Sequence, residues 1–537
     1  MKKLPLGIQS FTKVIENGCI YVDKTKYIYE LIQGNCVFFA RPRRFGKSLL
    51  CSTLEALFLG KKELFIGLWI DKNTDYQWPV HPVIHIDLSQ VSKANPAELT
   101  ASLMRTLDGI AETYKLEKLE YTTPGEMLKK LTTRLFEKYG SKNRVVLLID
   151  EYDKPILDTI DKPATAEEMR TILKNFYEFI KGLDDYLRFV FITGVTRFSK
   201  TSIFSGLNQL VNMSMDPRFA HLVGYTKDEI DLYFQERMQE IADGKKRSIT
   251  GGIQELKQLI EAWYDGYRFW KDQPLQKTND GENSDLARLY TPYSILSFLD
   301  TADFSNYWFE SATPSFLIKV LQQHQFPLES FENLTADMNE LMTFDIADLP
   351  LATLLFQSGY ATIKTYDPSN QYYELEMPNY EVKDSLLKSV LSAMTAHRTS
   401  RLNSNLIALR NSLENGPLEA FIEKIKTFYS KVPYEITIDK EKYYQTIFYL
   451  LVQLINLRPE AEKATNIGRI DLVVETHQFL YIFEFKLNKS AQEALDQILQ
   501  KKYYEFYSDC GKKIKLVGIN FSSTEKNVVE YLAQDLE

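Results

Sequence analysis

The first 200 residues contain apolar segments of strand length, separated by stretches in which apolar residues recur at helical spacing. The strand-like segments are residues 37–40, 81–89, 144–151 and 186–200. The third is continuously apolar, as is typical of a central parallel strand that is buried on both faces. The alternation of strands and helices predicts an α/β fold with a doubly wound parallel sheet for residues 1–220. We expect strand 81–89 to lie beside strand 37–40.

The pattern changes after this region. Residues 221–379 carry aromatic residues at helical spacing, which is typical of core packing in a helical domain, and they end in a predicted β-hairpin at 361–379. A helical lid with a hairpin wing, of winged-helix type, is the prediction. Residues 380–436 are predicted to be a helical connector. Residues 437–537 begin with an apolar helix and continue into a hairpin at 466–489, which predicts a C-terminal α/β domain.

The loop after the first strand has the composition of a phosphate-binding loop. It reads RPRRFGKS and ends in Gly46, Lys47 and Ser48 where a helical pattern begins. Backbone N–H groups at a helix N-terminus face an anion, the lysine reaches the β- and γ-phosphates of ATP, and the serine hydroxyl binds Mg²⁺. The pattern GxxxxGK[ST] places a glycine where this chain has Arg41, so we expect that residue to make the tight turn with help from Pro42. The predicted nucleotide-binding residues are Arg43, Arg44, Phe45, Gly46, Lys47, Ser48, Leu49 and Asp150.

The acids after the third strand form the second part of this predicted site. Asp150 and Glu151 fall at the carboxyl end of the strand, where open α/β sheets bind ligands. Asp150 is placed to hold Mg²⁺ through its water shell, and Glu151 to orient the attacking water. The alternative is that these acids cap the next helix.

Polar residues at the end of the fourth strand extend the site. Thr193 could sense the γ-phosphate, and Arg197 could be an arginine finger, either in cis or on a neighbouring subunit of a homo-oligomer. The alternative for Arg197 is a loop arginine that pairs with a surface acid.

The C-terminal hairpin carries charged residues on an apolar background. Pairing its strands across the turn THQF places Asp471 opposite Glu484. Because side chains alternate along a strand, these acids and Lys486 lie on one face, and Phe483 and Phe485 lie on the other. Carboxylates about 5 Å apart at Cβ can share Mg²⁺ or Mn²⁺ against a scissile phosphate, with the lysine neutralising the developing charge. A salt-bridged, exposed sheet face is the alternative.

Composition narrows the class of protein. The chain has 537 residues, 44% of them apolar, and a net charge of −8, which is typical of a globular protein of about three domains. The four cysteines form no CxxC pair, which argues against a zinc site or a disulfide framework and fits a reducing cytoplasm. The N-terminus lacks an apolar core of signal-peptide length, and no stretch approaches about 18 apolar residues. We therefore expect a cytoplasmic protein without a membrane span.

Several segments together resemble known families. LPLGIQSF, YVDKT, RPRRFGKSLL and LLIDEYDKPI resemble the bacterial AAA-ATPase-like family, whose phosphate loop itself reads RPRRFGKS. GRIDLVV, YIFEFKL and ALDQILQKKY resemble the PD-(D/E)XK nuclease superfamily domain that accompanies it, which implies a restriction-endonuclease-like fold. The resemblance implies that Arg41 is a family feature. It also implies a role for Glu462 as an additional acid and metal ligand, and for Gln497 on the helix that faces the site.

These features predict an ATP-dependent or ATP-regulated nuclease that acts on nucleic acid, with DNA as the favoured substrate. The alternative is a signalling or scaffolding NTPase whose nucleotide state sets assembly and whose C-terminal domain only binds nucleic acid or a partner. Lys486 beside two acids favours the nuclease, since a domain that only binds has no need of that arrangement.

Overall fold

The structure is a computed structural model. It describes the chain apart from residues 93, 119–120, 198–202, 205, 208, 245–251, 271–287, 309–316, 318–333, 343–349, 396–398, 416, 433–439, 456–457, 466–467, 508–510 and 537, and apart from the side chains of 393, 399–404, 458–465 and 468–469. The described residues of 1–316 and 334–382 form one compact unit, and those of 317–333 and 383–537 form a second. The four domains predicted from the sequence are a finer division and stay a prediction.

A parallel sheet is the framework of the first unit. Its described strands are β1 (Cys36–Ala40), β2 (Val83–Asp87), β3 (Val145–Asp150), β4 (Leu187–Gly194) and β5 (Val211–Asn212). They are hydrogen-bonded in the order β2-β3-β4-β1-β5, and every pairing is parallel. Every residue of β3 is buried, as its continuous apolar sequence predicts. This sheet, with helices between its strands, confirms the predicted α/β fold class.

The position of β2 differs from the prediction. It pairs with β3 at one edge of the sheet, whereas β1 lies between β4 and β5. The expectation that β2 lies beside β1 is therefore wrong. Half-buried His85 and Asp87 alternate with buried residues in β2, which suits an edge strand, but this pattern does not specify which strand is the neighbour. Strand β5 has two residues and was too short to be predicted.

Helices connect these strands and continue beyond the sheet. The helices described in this unit are α1 (Phe11–Glu16), α2 (Thr25–Leu31), α3 (Lys47–Phe58), α4 (Trp69–Asn73), α5 (Pro96–Thr113), α6 (Pro124–Tyr139), α7 (Lys154–Leu157), α8 (Pro163–Lys181), α9 (Lys227–Ala242), α10 (Gly252–Tyr264), α11 (Pro292–Thr301), α12 (Met338–Leu341) and α13 (Leu351–Ser358). Capping residues mark several starts. Asn95 and Thr123 accept backbone hydrogen bonds at the starts of α5 and α6, and each precedes a proline.

The region after the parallel sheet combines helices with a small antiparallel sheet. Buried residues of α9, α10 and α11 share one hydrophobic core, as the aromatic pattern predicts. Strands β6 (Thr335–Asp337), β7 (Thr362–Asp367) and β8 (Tyr372–Glu376) pair in the order β6-β8-β7. Strands β7 and β8 form the hairpin that the sequence predicts at 361–379.

The second unit contains helices and a mixed sheet. Helix α14 (Tyr380–Thr395) begins in the first unit and continues into the second, where the described elements are α15 (Thr399–Asn415), α16 (Leu418–Tyr429), α17 (Glu441–Leu454), β9 (Arg458–Thr465), β10 (Gly468–Glu475), β11 (Phe479–Leu487), α18 (Ala491–Gln500), β12 (Lys513–Ser522) and β13 (Asn527–Asp535). The strands run in the order β13-β12-β11-β10-β9, and the β11–β12 pairing is parallel.

Different helices pack against the two faces of β11. Phe448 of α17 packs against Phe483 and Phe485, with ring centroids 5.2 and 5.1 Å apart. Helix α18 packs against β11 and β12, and it approaches Gly518 so closely that a Cβ there would lie 2.3 Å from the carbonyl oxygen of Ala491. Glycine at position 518 therefore lets α18 approach the sheet.

Candidate nucleotide and nuclease sites

The phosphate loop passes through left-handed backbone conformations between the end of β1 and Lys47. Arg44 has φ 67° and Gly46 has φ 97°, whereas Arg41 is not among the residues with positive φ. The expectation that Arg41 makes the tight turn is therefore wrong. Since the backbone of Arg41 does not enter the left-handed region, glycine is not required there.

Lys47 is buried at the start of α3, and its ammonium group faces the loop. Its Nζ donates a hydrogen bond to the carbonyl oxygen of Pro42 at 2.9 Å. Burial lowers the pKa of Lys47, although the carboxylates of Glu151 and Asp150 act in the opposite direction. An incoming phosphate would therefore meet a desolvated cation that is held by one carbonyl group.

The predicted acids Asp150 and Glu151 lie close enough to Lys47 to act on its pKa. Asp150 ends β3 and is 2% exposed. Burial raises its pKa, and a hydrogen bond with the side chain of Ser48 acts against that rise. Glu151 follows with φ 49°, a conformation that side chains with a Cβ rarely adopt. The structure thus brings Lys47, Ser48, Asp150 and Glu151 together at the carboxyl end of the sheet.

A further acid, which the sequence pattern did not indicate, lies at this edge. Asp87, the last residue of β2, is in register with Asp150 and contributes to the raised pKa of that residue. Its carboxylate accepts hydrogen bonds from the backbone N–H of Ser89 at 2.9 Å and from the side chain of Gln90 at 2.8 Å. An acid at the end of a strand was the signal that could have identified it.

A pocket borders the phosphate loop. Its lining includes Phe45, Gly46 and Leu49 from the loop and α3, together with Tyr21 and Lys24 from the N-terminal segment. It is mainly apolar and adjoins the residues predicted to hold phosphate. An apolar pocket in this position is suited to bind the base or the sugar of a nucleotide.

The two loop arginines have separate environments. The carbonyl oxygen of Arg43 accepts a hydrogen bond from the indole of Trp308 at 2.9 Å. Arg44 is exposed, and its guanidinium group lies 4.7 Å from the ring centroid of Tyr293.

The residues at the end of β4 have partners within the first unit. The Thr193 hydroxyl donates to the carbonyl oxygen of Phe39 at 2.6 Å, so this group helps to join two strands. Arg197 donates its backbone N–H to the side chain of Gln357 at 2.8 Å. Its half-buried side chain lines a cavity with Arg41 and Pro42. Burial lowers the pKa of Arg197 to about 10.

The C-terminal hairpin has the register that the sequence predicts. Val473 pairs with Ile482 and Glu475 pairs with Leu480, so the same register places Asp471 opposite Glu484. The turn is closed by Thr476, whose backbone N–H donates to the carbonyl oxygen of Phe479 at 2.8 Å.

The charged side chains converge on one face of this hairpin. The Asp471 carboxylate accepts a hydrogen bond from the backbone N–H of Phe485 at 2.8 Å. The ammonium group of Lys486 lies 3.0 Å from Oε1 of Glu484. Gln497 of α18 donates to the same oxygen. The exposed-face alternative does not fit Glu484, which is 1% exposed.

The electrostatics of this group favour an additional cation. Burial and the neighbouring Asp471 raise the pKa of Glu484 to about 8. Its Oε2 is buried and has no hydrogen-bond partner among the described residues. Burial tends to lower the pKa of Lys486, but Glu484, Asp471 and Glu441 outweigh it and the net shift is upward. A buried carboxylate oxygen without a donor, beside a second carboxylate, is suited to binding a divalent metal ion.

Comparisons with known proteins agree with the two families that the sequence resembles. A family model described as "Predicted AAA-ATPase" matches residues 5–204, and one described as "PD-(D/E)XK nuclease superfamily" matches residues 439–531. A protein from Azotobacter chroococcum mcd 1, named "Uncharacterized protein in vnfD 5'region", is 33% identical over 559 residues, which cover 100% of this chain and 99% of the relative. The chain belongs to the AAA-ATPase-like family with a C-terminal PD-(D/E)XK nuclease superfamily domain.

Two further residues of the PD-(D/E)XK domain lie at its charged site. Glu441, at the start of α17, accepts a hydrogen bond from the backbone N–H of Leu487 at 3.0 Å and helps to raise the pKa of Lys486. Tyr503 is buried, hydrogen-bonded to Gln497 and within the field of Glu484. The sequence pattern did not indicate either residue, because neither lies on the hairpin.

The predicted role of Glu462 lies outside the described side chains, although its backbone belongs to β9. Across the side chains that the structure does describe, no group of three or more histidine, cysteine, aspartate or glutamate residues could hold a metal ion. At the charged site, the hairpin therefore offers two described carboxylates, those of Asp471 and Glu484. In the described part of this AAA-ATPase-like chain, the helices are too short or too polar to cross a membrane.

Proposed function

We propose that this protein binds and hydrolyses ATP and that it cleaves phosphodiester bonds of nucleic acid, with DNA as the favoured substrate, in a metal-dependent reaction at its C-terminal domain. The observation that carries the proposal is the convergence of Asp471, Glu484 and Lys486 on one hairpin face, with a buried carboxylate oxygen that lacks a described donor.

The nucleotide half of the proposal depends on the phosphate loop and the acidic strand. Lys47 would exchange the Pro42 carbonyl for the β- and γ-phosphates, since a phosphate offers a buried ammonium group a full negative charge. Ser48 and Asp150, which already share a hydrogen bond, would hold Mg²⁺. Glu151 would orient the attacking water. Arg43, Arg44, Phe45, Gly46 and Leu49 would surround the nucleotide, with its base or sugar in the adjoining apolar pocket.

The nuclease half depends on the hairpin. Asp471 and Glu484 would hold Mg²⁺ or Mn²⁺, and Glu462 would be an additional ligand. When bound, the metal lowers the pKa of a coordinated water molecule and polarises the scissile phosphate. Lys486 would neutralise charge that develops on the phosphate, and Gln497 would hold the orientation of Glu484. The pKa of Glu484, about 8, means that metal binding would release a proton from this group near neutral pH.

Arg197 is proposed as a second group that acts on the nucleotide phosphates, in cis or from a neighbouring subunit. Arg197 is half-buried and lines a cavity that also includes the loop residues Arg41 and Pro42. The assembly state decides between these two roles.

A cleavage assay tests the proposal. Single-stranded and double-stranded DNA and RNA are incubated with the full chain and Mg²⁺ or Mn²⁺, with and without ATP, and products are resolved by length. We expect metal-dependent cleavage that Asp471→Ala eliminates and whose ATP response Lys47→Ala eliminates. The control variant is Lys515→Ala, which removes a lysine from the neighbouring strand β12 where it pairs with exposed Asp535. Cleavage that Asp471→Ala leaves undiminished would refute the assignment of the nuclease site.

A further inference from the structure

Arg41 is buried beside the phosphate loop without an opposite charge. It is 2% exposed, and its guanidinium carbon lies 4.5 Å from the ring centroids of both Phe39 and Phe269. Nη1 donates to the carbonyl oxygens of Ala40 and Ser214. Nε and Nη2 are buried and have no hydrogen-bond partner among the described residues.

The two unsatisfied nitrogens form one edge of the guanidinium plane. The Nε–Nη2 edge presents two parallel N–H groups, which is the geometry that binds two oxygens of a carboxylate or phosphate. Burial lowers the pKa of Arg41 to about 9, with no contribution from a neighbouring carboxylate. A buried cation of this kind is costly unless an anion compensates its charge.

Arg41 lines a small cavity together with a second arginine and an amide. Its lining includes Arg41 and Pro42 from the phosphate loop, Arg197 from the end of β4, and Gln357 from α13. Its volume is about 40 Å³, which exceeds the roughly 10–15 Å³ that one water molecule requires. The cavity therefore has room for a small polyatomic anion.

We propose that this cavity binds a phosphate-type oxyanion between Arg41 and Arg197. Pro42 connects it to the nucleotide site, because Pro42 lines the cavity and its carbonyl oxygen accepts a hydrogen bond from Lys47. The oxyanion is either free inorganic phosphate or the terminal phosphate of a bound nucleotide. The inference does not depend on whether ATP is hydrolysed.

Phosphate titration of the full chain tests the site. Thermal unfolding and calorimetry are recorded with increasing inorganic phosphate at constant ionic strength, with chloride as the replaced anion. Because a ligand that binds the folded state stabilises it, we expect a saturable rise in the unfolding temperature of the wild type. Arg41→Met should weaken phosphate affinity at least tenfold, and Arg197→Gln should weaken it less. Arg218→Gln, which removes an exposed arginine from an ion pair with Asp216, should match the wild type.

Nucleotide titrations distinguish the two sources of the anion. If free phosphate binds, Lys47→Ala should retain phosphate binding while it loses ATP affinity, which also separates this site from the proposed ATP site. If the terminal phosphate binds, phosphate alone should have no effect, and Arg41→Met should lose at least tenfold in affinity for ATP but not for ADP.

A charge-preserving variant guards against misfolding. If Arg41→Met fails to fold, Arg41→Lys keeps the charge but cannot make the two-point contact, so the same losses are expected in reduced form. The proposal is overturned if the folded Arg41 variant matches the wild type both in phosphate response and in its ratio of ATP to ADP affinity.

Discussion

The phosphate loop and the C-terminal hairpin each bring one lysine beside two carboxylates, but the pKa of the lysine shifts in opposite directions at the two sites. At the loop, burial dominates and the pKa of Lys47 is lowered, and its ammonium group donates to a neutral carbonyl. At the hairpin, the carboxylates dominate and the pKa of Lys486 is raised, while Glu484 carries the unfavourable burial. The loop is therefore suited to receive an anion and the hairpin to receive a cation.

The difference follows from where the charges come from. Lys47 and Asp150 lie on different elements, a helix start and a strand end, and they meet because parallel strands present their carboxyl ends at one edge. Asp471, Glu484 and Lys486 belong to one hairpin, where the register alone places them together. At the loop, the ammonium group of Lys47 donates to a neutral carbonyl that an anion could replace. At the hairpin, the neighbouring carboxylates of Asp471 and Glu484 repel each other, and a cation would relieve that repulsion.

The largest expected effects are at the hairpin, where removal of the lysine and removal of an acid should differ in their consequences for metal binding. Lys486→Ala should reduce cleavage by about 10³-fold, or ~4 kcal/mol in the activation free energy, while leaving metal binding largely intact. Asp471→Ala should reduce cleavage as much and also weaken metal binding. Calorimetric titration with Mn²⁺ beside the cleavage assay gives both quantities. Equal loss of metal affinity in the two variants would contradict the division of roles, and Lys515→Ala is the matched control.

A corresponding pair tests the loop. Lys47→Ala should weaken ATP binding by about 10²-fold, because it leaves the phosphates without their buried cation. Glu151→Gln should keep ATP affinity and slow hydrolysis by about 10²-fold, if Glu151 orients water. Equilibrium binding of a labelled nucleotide and steady-state phosphate release measure the two effects.

Lys154→Ala provides the control for that pair. It removes a lysine near the acidic strand whose partner is Asp158, at 2.7 Å one helical turn away. It should change neither quantity. A loss of ATP binding in Glu151→Gln that equals the loss in Lys47→Ala would make Glu151 a structural acid.

The pH dependence of the metal-free protein tests the hairpin's need for a cation. Glu484 should stay protonated in the folded state up to about pH 8, whereas an unperturbed glutamate titrates near 4.5. The folded state then binds more protons between these values, so stability should fall as pH rises from about 4.5 to about 8. Apparent Mg²⁺ affinity should rise over the same window, by up to about tenfold per pH unit.

Thermal unfolding in chelator and metal titration at several pH values check this prediction. Glu484→Gln should remove the fall in stability between about pH 4.5 and about pH 8. It should also abolish the pH dependence of metal affinity. A wild-type profile that this variant does not change would mean that Glu484 ionises in its usual range.

The smallest expected effect concerns the support of Glu484. Gln497→Ala removes the α18 side chain that donates to this carboxylate. Because the carboxylate keeps its contact with Lys486 and its place on β11, we expect cleavage to fall by about tenfold, with metal affinity changed less. Single-turnover cleavage measures the chemical step. A loss as large as that of Asp471→Ala would indicate that Gln497 contacts substrate or metal directly.

Much of the fold and of both sites could be predicted because the signals are local. The hairpin register follows from side-chain alternation and the short turn between Glu475 and Phe479, so the positions of Asp471 and Glu484 needed no knowledge of other elements. The glycine, lysine and serine at the start of α3 are likewise neighbours in the sequence. The roles assigned to these residues stay predictions that the experiments above address.

The tertiary structure decided what depends on contacts between distant segments. The sequence does not specify that β2 pairs with β3, because a strand's pattern describes its faces and not its neighbour. Glu441 and Tyr503 reach the hairpin site from elements before and after it. The burial of Arg41 between Phe39 and Phe269 joins the phosphate loop to a residue far along the chain. Sequence determined which chemical groups exist and how near neighbours are arranged, and packing alone determined which of them lost water and which acquired a partner.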